Sequence, residues 1–564
     1  MKKHFKSLIT VLLCLSILPG TALSASAGDD TLRITVATDT HFSSFSDLGE
    51  FPSDYTQVTN IDGMLDKDVY YYTSIQGQMD WESKAILKQL LSAFAESDDE
   101  FLLLAGDLTS GDRQSHYELA EILRNVEADT GKEIFVTSGN HDVEDGVSTD
   151  EFMQIYADFG YADALSVHQP SGSYTADLSG KYRLIVIDSS ETGDVGGEIT
   201  PAALDWVRQQ AAAAQNDGKT LIAMMHHSLL PHFAVEPMIN SSSHAALVEE
   251  LAGLGINVFF TGHIHANDIS SVKTRSGKTV YDVMTGSLTV YPHAYRHASF
   301  SDSGIEISTD YITEIDTADL TQGYNAEQLS RIEENFPAYS YGFFEAGMCR
   351  WLNAYAGDGA KVGRKLGFEQ DSIAFKLLDH TLTLAGNAIN TPIYDDGSTP
   401  DVIDTVEELA KLKGFEIPES DYRMPYQVVA AIMSNFYCGD ETDVSFEVEL
   451  VYNCLKSLVP RFAETLIFEG TINCLLGSLD IAIAPGILTS GLELGIEDMA
   501  ITDTIAVSML NSLLKGIAND YSQPGDLNVE LNTSTGTAGL TLFERILRMF
   551  IDLFSSFKRL FEFI

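Results

Sequence analysis

The chain has 564 residues, 45% of them apolar and 10% aromatic, enough for two to four domains with sizeable cores. It carries 34 Lys and Arg against 82 Asp and Glu, a formal net charge of −48. Such a surface repels polyanions, so no nucleic-acid polymer is expected as a general partner.

The first segment, 1–27, reads as a secretory signal peptide: Lys2, Lys3 and Lys6, an apolar stretch from Leu8 to Leu18, then the small residues Ala25-Ser26-Ala27. A lipoprotein cleavage at Cys14 is disfavoured, because Leu13 precedes it where a small residue belongs. Removing the segment leaves 34 − 3 = 31 basic residues, and 31 − 82 gives a mature charge of −51. The expected location is therefore extracellular. Secretion permits disulfides among Cys349, Cys438, Cys454 and Cys474, and buried thiols fit equally well. Residues 28–348 contain no cysteine, so a metal site there must use oxygen and nitrogen ligands.

From residue 31 onward, short apolar runs rich in branched residues alternate with helical periodicity. The runs 31–37, 101–105, 133–138, 182–188, 220–225 and 256–261 read as buried strands. The stretches 83–96, 115–129, 202–214 and 244–254 read as helices between them. This alternation predicts an α/β domain over 28–319, with an insertion over 43–80 and more strand-like sequence after 268. Residues 320–522 read as a mostly helical accessory domain. The polar stretch 523–540 reads as a linker. The last segment, 541–564, reads as an amphipathic helix whose polar stripe is Arg545, Arg548, Asp552, Ser555, Arg559 and Glu562. Such a helix offers attachment to a membrane surface or to a protein groove, or packs back on the chain. The most apolar stretch elsewhere, between Asp480 and Glu493, is too short to span a bilayer.

Histidine separates the two halves: of 13 after residue 27, 12 fall between residues 41 and 297. Five apolar runs end in hard or borderline metal ligands. They lead into Asp39 and His41, into Asp107, into Asn140, His141 and Asp142, into His226 and His227, and into His263 and His265. In an open α/β sheet the C-terminal strand edge is where sites form. Residues two apart on an extended segment point the same way, so each D-x-H or H-x-H pair can converge on one locus. Gly106, Gly139 and Gly262 precede ligands, where a tight turn or close backbone approach needs them.

The ordered set D-x-H, G-D, G-N-H-D, a later His and G-H-x-H resembles the calcineurin-like metallophosphoesterase superfamily over roughly residues 31–310. The resemblance implies a double-β-sheet sandwich flanked by helices around two divalent or trivalent transition metal ions, iron, manganese or zinc. It assigns Asp39, His41 and His265 to one ion, Asn140, His226 and His263 to the other, and Asp107 to a bridge between them. His226 is preferred to His227 because it directly follows the strand. His141 would assist at the leaving group, with Asp142 orienting it. Two ions about 3.5–4 Å apart can generate a hydroxide at neutral pH and clamp a phosphoryl group. The implied activity is hydrolysis of a phosphodiester or phosphomonoester on a small substrate. The alternative is a cell-surface binding protein that keeps the fold without turnover. Ser110 stands where purple acid phosphatases carry a tyrosine, and His41 is present. The pattern is therefore closer to the cyclic-nucleotide, glycerophosphodiesterase and acid sphingomyelinase-like branch. His116, His232 and Tyr70 to Tyr72 are further candidates for the pocket wall, with His116 also readable as a helix-start residue and His232 as a surface loop.

Overall fold

The computed structural model describes residues 31–44, 77–111, 113–144, 147–190, 196–232, 239, 241, 244–320, 323–356, 389–399, 402–439, 444–458 and 525–531. The expected signal peptide 1–27, most of the expected 43–80 insertion with Tyr70 to Tyr72, Cys474, and the segment 541–564 expected as an amphipathic helix lie outside the described residues.

In chain order the elements begin β1 (Leu32–Ala37), α1 (Ser83–Glu96), β2 (Phe101–Ala105), α2 (Arg113–Thr130), β3 (Glu133–Thr137), α3 (Asn140–Glu144) and α4 (Thr149–Ile155). There follow β4 (Ser166–His168), β5 (Ser173–Asp177), β6 (Tyr182–Val186), α5 (Pro201–Asn216), β7 (Thr220–Met224), α6 (His244–Gly253) and β8 (Val258–Thr261). The domain closes with β9 (Asp268–Lys273), β10 (Thr279–Met284), β11 (Ala294–Phe300) and β12 (Ile305–Tyr311). The helices beyond are α7 (Ala326–Glu334), α8 (Phe336–Ala356), α9 (Val406–Lys413), α10 (Pro425–Cys438) and α11 (Ser445–Leu458), and β13 (Val529–Leu531) comes last. The six strands and four helices expected from the apolar pattern are all present, with ends shifted by a few residues.

The strands form two sheets, β13-β12-β11-β1-β2-β3 and β4-β5-β6-β7-β8-β10-β9. Pairs β1·β2, β2·β3, β6·β7, β7·β8 and β8·β10 are parallel, which accounts for their unbroken apolar runs: both faces are covered. In the second sheet the period of two sorts each run between two cores. Leu184, Val186, Ile222, Met224 and Phe260 join a core with Ile34, Val36 and Leu103, which share one face of the first sheet. Ile185, Ile187, Leu221, Ala223 and Phe259 face outward and pack on Trp206, Val207, Leu247 and Leu251 of α5 and α6. The result is a double-sheet sandwich flanked by helices, as the family resemblance implied.

The helical part does not divide from the sandwich at residue 320. Ile332, Phe336, Tyr339 and Phe343, spaced at helical intervals along α7 and α8, are buried in the main core. The helices α9, α10 and α11 enclose a smaller core of Ile393, Val406, Ala410, Val428, Leu450 and Cys454. Part of the 523–540 stretch is a strand and not a linker. Leu531 and Val529 pair antiparallel with Ile305 and Ile307, and the preceding Asp526 accepts a hydrogen bond from Ile269 N at 2.9 Å. A three-residue strand has too little alternation to stand out of a polar segment. Cys349, Cys438 and Cys454 are thiols, not disulfides. Among the described residues no helix is long and apolar enough to cross a membrane.

Candidate metal centre

The C-terminal ends of β1, β2 and β3 meet those of β6, β7 and β8, and all seven candidate ligands sit at this junction. His226 Nδ1 lies 2.9 Å from Ala105 O, Asp39 N donates to Gly106 O at 2.9 Å, and Gly262 N donates to His226 O at 2.9 Å, so the edges of both sheets are tied together. The backbone turns sharply as each strand ends. Asp39 (φ 48°), His41 (37°), Asp107 (47°), His263 (74°) and His265 (64°) all occupy the left-handed region. For non-glycine residues this conformation costs of order 1–3 kcal/mol each and persists only where neighbours over-determine it. Convergence of the i, i+2 pairs therefore comes from left-handed turns, and not from the extended geometry assumed above. Close backbone approach explains two of the glycines. A Cβ on Gly139 would lie 2.1 Å from Asp107 Oδ1, and one on Gly262 would lie 2.0 Å from Thr38 Oγ1.

Two clusters of donor atoms result. In the first, His265 Nε2 lies 3.2 Å from both Asp39 Oδ1 and His41 Nε2, and His41 Nε2 lies 3.9 Å from Asp39 Oδ1. In the second, His226 Nε2 lies 3.2 Å from both Asp107 Oδ2 and His263 Nδ1. Asp39, Asp107 and His226 offer atoms within 4.8 Å of one another, which sets Asp107 between the clusters. Asp39 Oδ1 and Asn140 Oδ1 are buried and accept no hydrogen bond. Unsatisfied buried acceptors are rare, and a cation is the partner that suits them.

The electrostatics point the same way. Burial opposes the charge on Asp39, but the adjacent His265 more than compensates and its pKa falls to about 2. Burial likewise opposes ionisation of Asp107, and the charges of His226 and His141 hold its pKa well below the ordinary carboxylate value. Burial pushes His41 and His263 down to about 3, so both imidazoles are neutral with lone pairs available. His226 is pushed down by burial, yet Asp107 and Asp39 raise it to about 10. Carboxylates that attract a proton onto a buried imidazole will attract a metal cation more strongly. The site thus has the donors, the charge and the unsatisfied atoms that two transition metal ions require, without a thiolate.

The remaining candidates separate. His141 is partly exposed, its ring 5.3 Å from that of His41, and its backbone N donates to Asp107 Oδ1 at 2.9 Å. Asp142 does not serve His141 as expected. It is fully buried, and its oxygens accept from Gly139 N at 2.8 Å and from Leu108 N and Thr109 N at 3.1 Å. It therefore holds the loop that carries Asp107; burial and the Asp107 charge raise its pKa to about 7 against those three donors. Of the adjacent pair, His226 reaches Asp107, while His227 Nδ1 lies 2.8 Å from Ser189 Oγ and His227 also offers a ring nitrogen within 4.8 Å of donors on His226 and His263. His116 is a buried residue of α2, between Thr109 Oγ1 and Tyr156 OH at 3.0 Å each, and burial lowers its pKa to about 4. His232 is not on the surface: it is buried against Asp268 and Asp282.

Sequence reasoning missed three supporting side chains. Asp188 accepts from Ser138 Oγ at 2.5 Å and from Ser190 N at 2.8 Å, steadying the loop before Asn140. Ser189 holds His227. Ser287 Oγ donates to Asp39 O at 2.9 Å and Ser287 N to His265 O at 3.3 Å. Asp188 follows an apolar strand, so the rule that found the ligands would have found it as well.

Residues 32–267 match the family model described as calcineurin-like phosphoesterase. A probable cyclic nucleotide phosphodiesterase of Psychrobacter arcticus is 32% identical over 206 residues, which cover 35% of this chain and 66% of that protein. A second such protein, of Rhodococcus erythropolis, is 29% identical over 32% of this chain and 56% of its own length. A cAMP/cGMP dual specificity phosphodiesterase of Mycobacterium tuberculosis is 26% identical, with 29% and 48% covered. The chain thus spans between about half and two thirds of these relatives. A solved dimetal phosphatase from Danio rerio, 11% identical, aligns with 50% of this chain and 96% of its own with a TM-score of 0.37.

Proposed function

From the premise that residues 32–267 belong to the calcineurin-like phosphoesterase family, we propose that this protein is a secreted, dinuclear metal-dependent phosphodiesterase acting on a small substrate of the cyclic-nucleotide type. The observation that carries the reading is the junction of two buried donor clusters across Asp107, with Asp39 Oδ1 and Asn140 Oδ1 unsatisfied. Asp39, His41 and His265 would hold one ion, Asn140, His226 and His263 the other, and Asp107 both. Two divalent or trivalent ions, when bound, supply water activation at neutral pH and positive charge for the phosphoryl oxygens. His141 stands at the exposed side of the first cluster, where its ring can hydrogen-bond a phosphoryl oxygen or protonate the leaving oxygen. Asp142, Asp188 and Ser287 keep the ligand-bearing loops in their turned conformations. The names of the curated relatives support a diester substrate.

With manganese added, the wild type should hydrolyse bis-p-nitrophenyl phosphate and 3′,5′-cyclic AMP faster than p-nitrophenyl phosphate. His141→Ala should lower kcat by roughly 10²–10⁴-fold while retaining its metal. Metal uptake without hydrolysis of any phosphoester would favour the binding-protein alternative. Preference for the monoester would overturn the substrate class.

Secretion and attachment rest on the sequence pattern of 1–27 and 541–564. Fractionation should find the protein outside the cytoplasm with Gly28 as its first residue, and deletion of 541–564 should shift it from the surface fraction to the medium. An intact Met1 in mature protein would reject the signal peptide, and unchanged partitioning would reject the anchor.

A further inference from the structure

The turn that carries His263 and His265 is fastened from outside the sandwich. On its inner side His263 N donates to Asp39 Oδ2 at 2.9 Å, Ser287 N to His265 O at 3.3 Å, and Gly286 N to Asn267 Oδ1 at 3.0 Å. On its outer side the helical region takes over. Asn267 donates both its backbone N–H and its Nδ2 to Tyr437 O, each at 3.2 Å. Tyr437 is in the last turn of α10, where helix carbonyls have no partner within the helix. Ile264, between the two histidines, packs on the cluster of Ala266, Met284 and Phe436, which Met433 and Tyr437 of the same helix also cover. The left-handed Gly439 (φ 68°) ends α10 so close to the turn that a Cβ on it would lie 2.6 Å from Asn267 O. One side chain, Asn267, thus joins the GHIH turn, the loop after β10 and the end of α10.

We propose that α10 is a working part of the metal centre: Asn267 is a positioning residue that transmits the docking of α10 to His263 and His265, so that metal affinity and helix docking strengthen each other. The inference rests on reading these histidines as metal ligands. Two non-glycine residues held in left-handed turns need external restraint, and α10 supplies the restraint on the face that Ser287 and Gly286 do not reach. A coupling between two sites is reciprocal, so metal removal must loosen α10 as loosening α10 weakens metal binding.

Gly439→Ala tests this against Gly414→Ala. Gly414 also ends a helix, α9, in the left-handed region (φ 85°), but a Cβ there meets nothing within 4 Å. Both variants strain a helix end, and only the first presses on Asn267. In competition with a chelator, Gly439→Ala and Asn267→Ala should hold manganese at least tenfold more weakly than wild type, with Gly414→Ala unchanged. Deuterium uptake in metal-stripped wild type should rise over 425–438 and not over 406–413. Wild-type metal retention in both Gly439→Ala and Asn267→Ala, or equal loss in Gly414→Ala, overturns the inference while leaving the metal site intact. A wild type that takes up no metal overturns the site and the inference together.

Discussion

Asp107→Asn is expected to lower diester turnover by roughly 10³-fold, equivalent to about 4 kcal/mol of transition-state stabilisation, and to reduce bound metal from two equivalents per chain. The argument is one of charge and position. Asp107 is 1% exposed and lies between the two donor clusters, with Oδ2 3.2 Å from His226 Nε2 and Oδ1 accepting from His141 N. An amide keeps the size and one acceptor but loses the negative charge, and its nitrogen would present a donor where a cation needs a lone pair. At an effective dielectric of about 20, losing one unit charge 4 Å from a cation forfeits roughly 4 kcal/mol per charge, before any relaxation. Elemental analysis and manganese-saturated kinetics measure both effects. A variant with two tightly held equivalents and near wild-type kcat would remove Asp107 from the centre.

The centre was legible because its residues obey a rule visible along the chain: an apolar run, then a hard ligand. Buried parallel strands must be apolar on both faces, so the first polar side chain after each run marks the sheet edge where Asp39, Asp107, Asn140, His226 and His263 gather. What the residues could not reveal was how they were aimed. Asp142 follows His141 directly, yet its oxygens are drawn to three backbone N–H groups, two of them on the loop after β2, a contact across 34 residues that adjacency does not suggest. His232 looked like a pocket residue because HHSLLPH is dense in histidine. Its partners Asp268 and Asp282 lie 36 and 50 positions on. Asn267 carried no signal of its own, and its partner Tyr437 is 170 residues away in a region with no ligand pattern. Local signals locate a strand end, while the second layer of contacts is set by tertiary packing.

His232→Gln is expected to destabilise the catalytic domain by about 3–5 kcal/mol at neutral pH, the cost of removing one partner from a buried ion pair. His232 Nδ1 contacts Asp268 Oδ2 and Nε2 lies 3.4 Å from Asp282 Oδ2, with all three side chains fully buried. Asp282 in turn accepts from Leu229 N at 2.6 Å, Leu230 N at 2.8 Å and Thr261 Oγ1 at 2.5 Å, so it braces the segment after His226 and the strand that leads to His263. Burial alone would deprotonate His232, but Asp282 and Asp268 outweigh it and raise the pKa to about 10. A histidine whose folded pKa is raised binds its proton more tightly in the folded state than in the unfolded state. Its contribution is therefore complete below about pH 6.5, the unfolded value, and is lost as pH rises through about 10. The gap between wild type and variant should thus be wide at pH 7.5 and narrower at pH 9.5. Urea midpoints followed by tryptophan fluorescence at the two pH values measure it, with Asp268→Asn in the His232→Gln background restoring part of the loss at pH 7.5. Equal midpoints at pH 7.5, or a gap that does not change with pH, would show that His232 is not the cation that holds these two carboxylates.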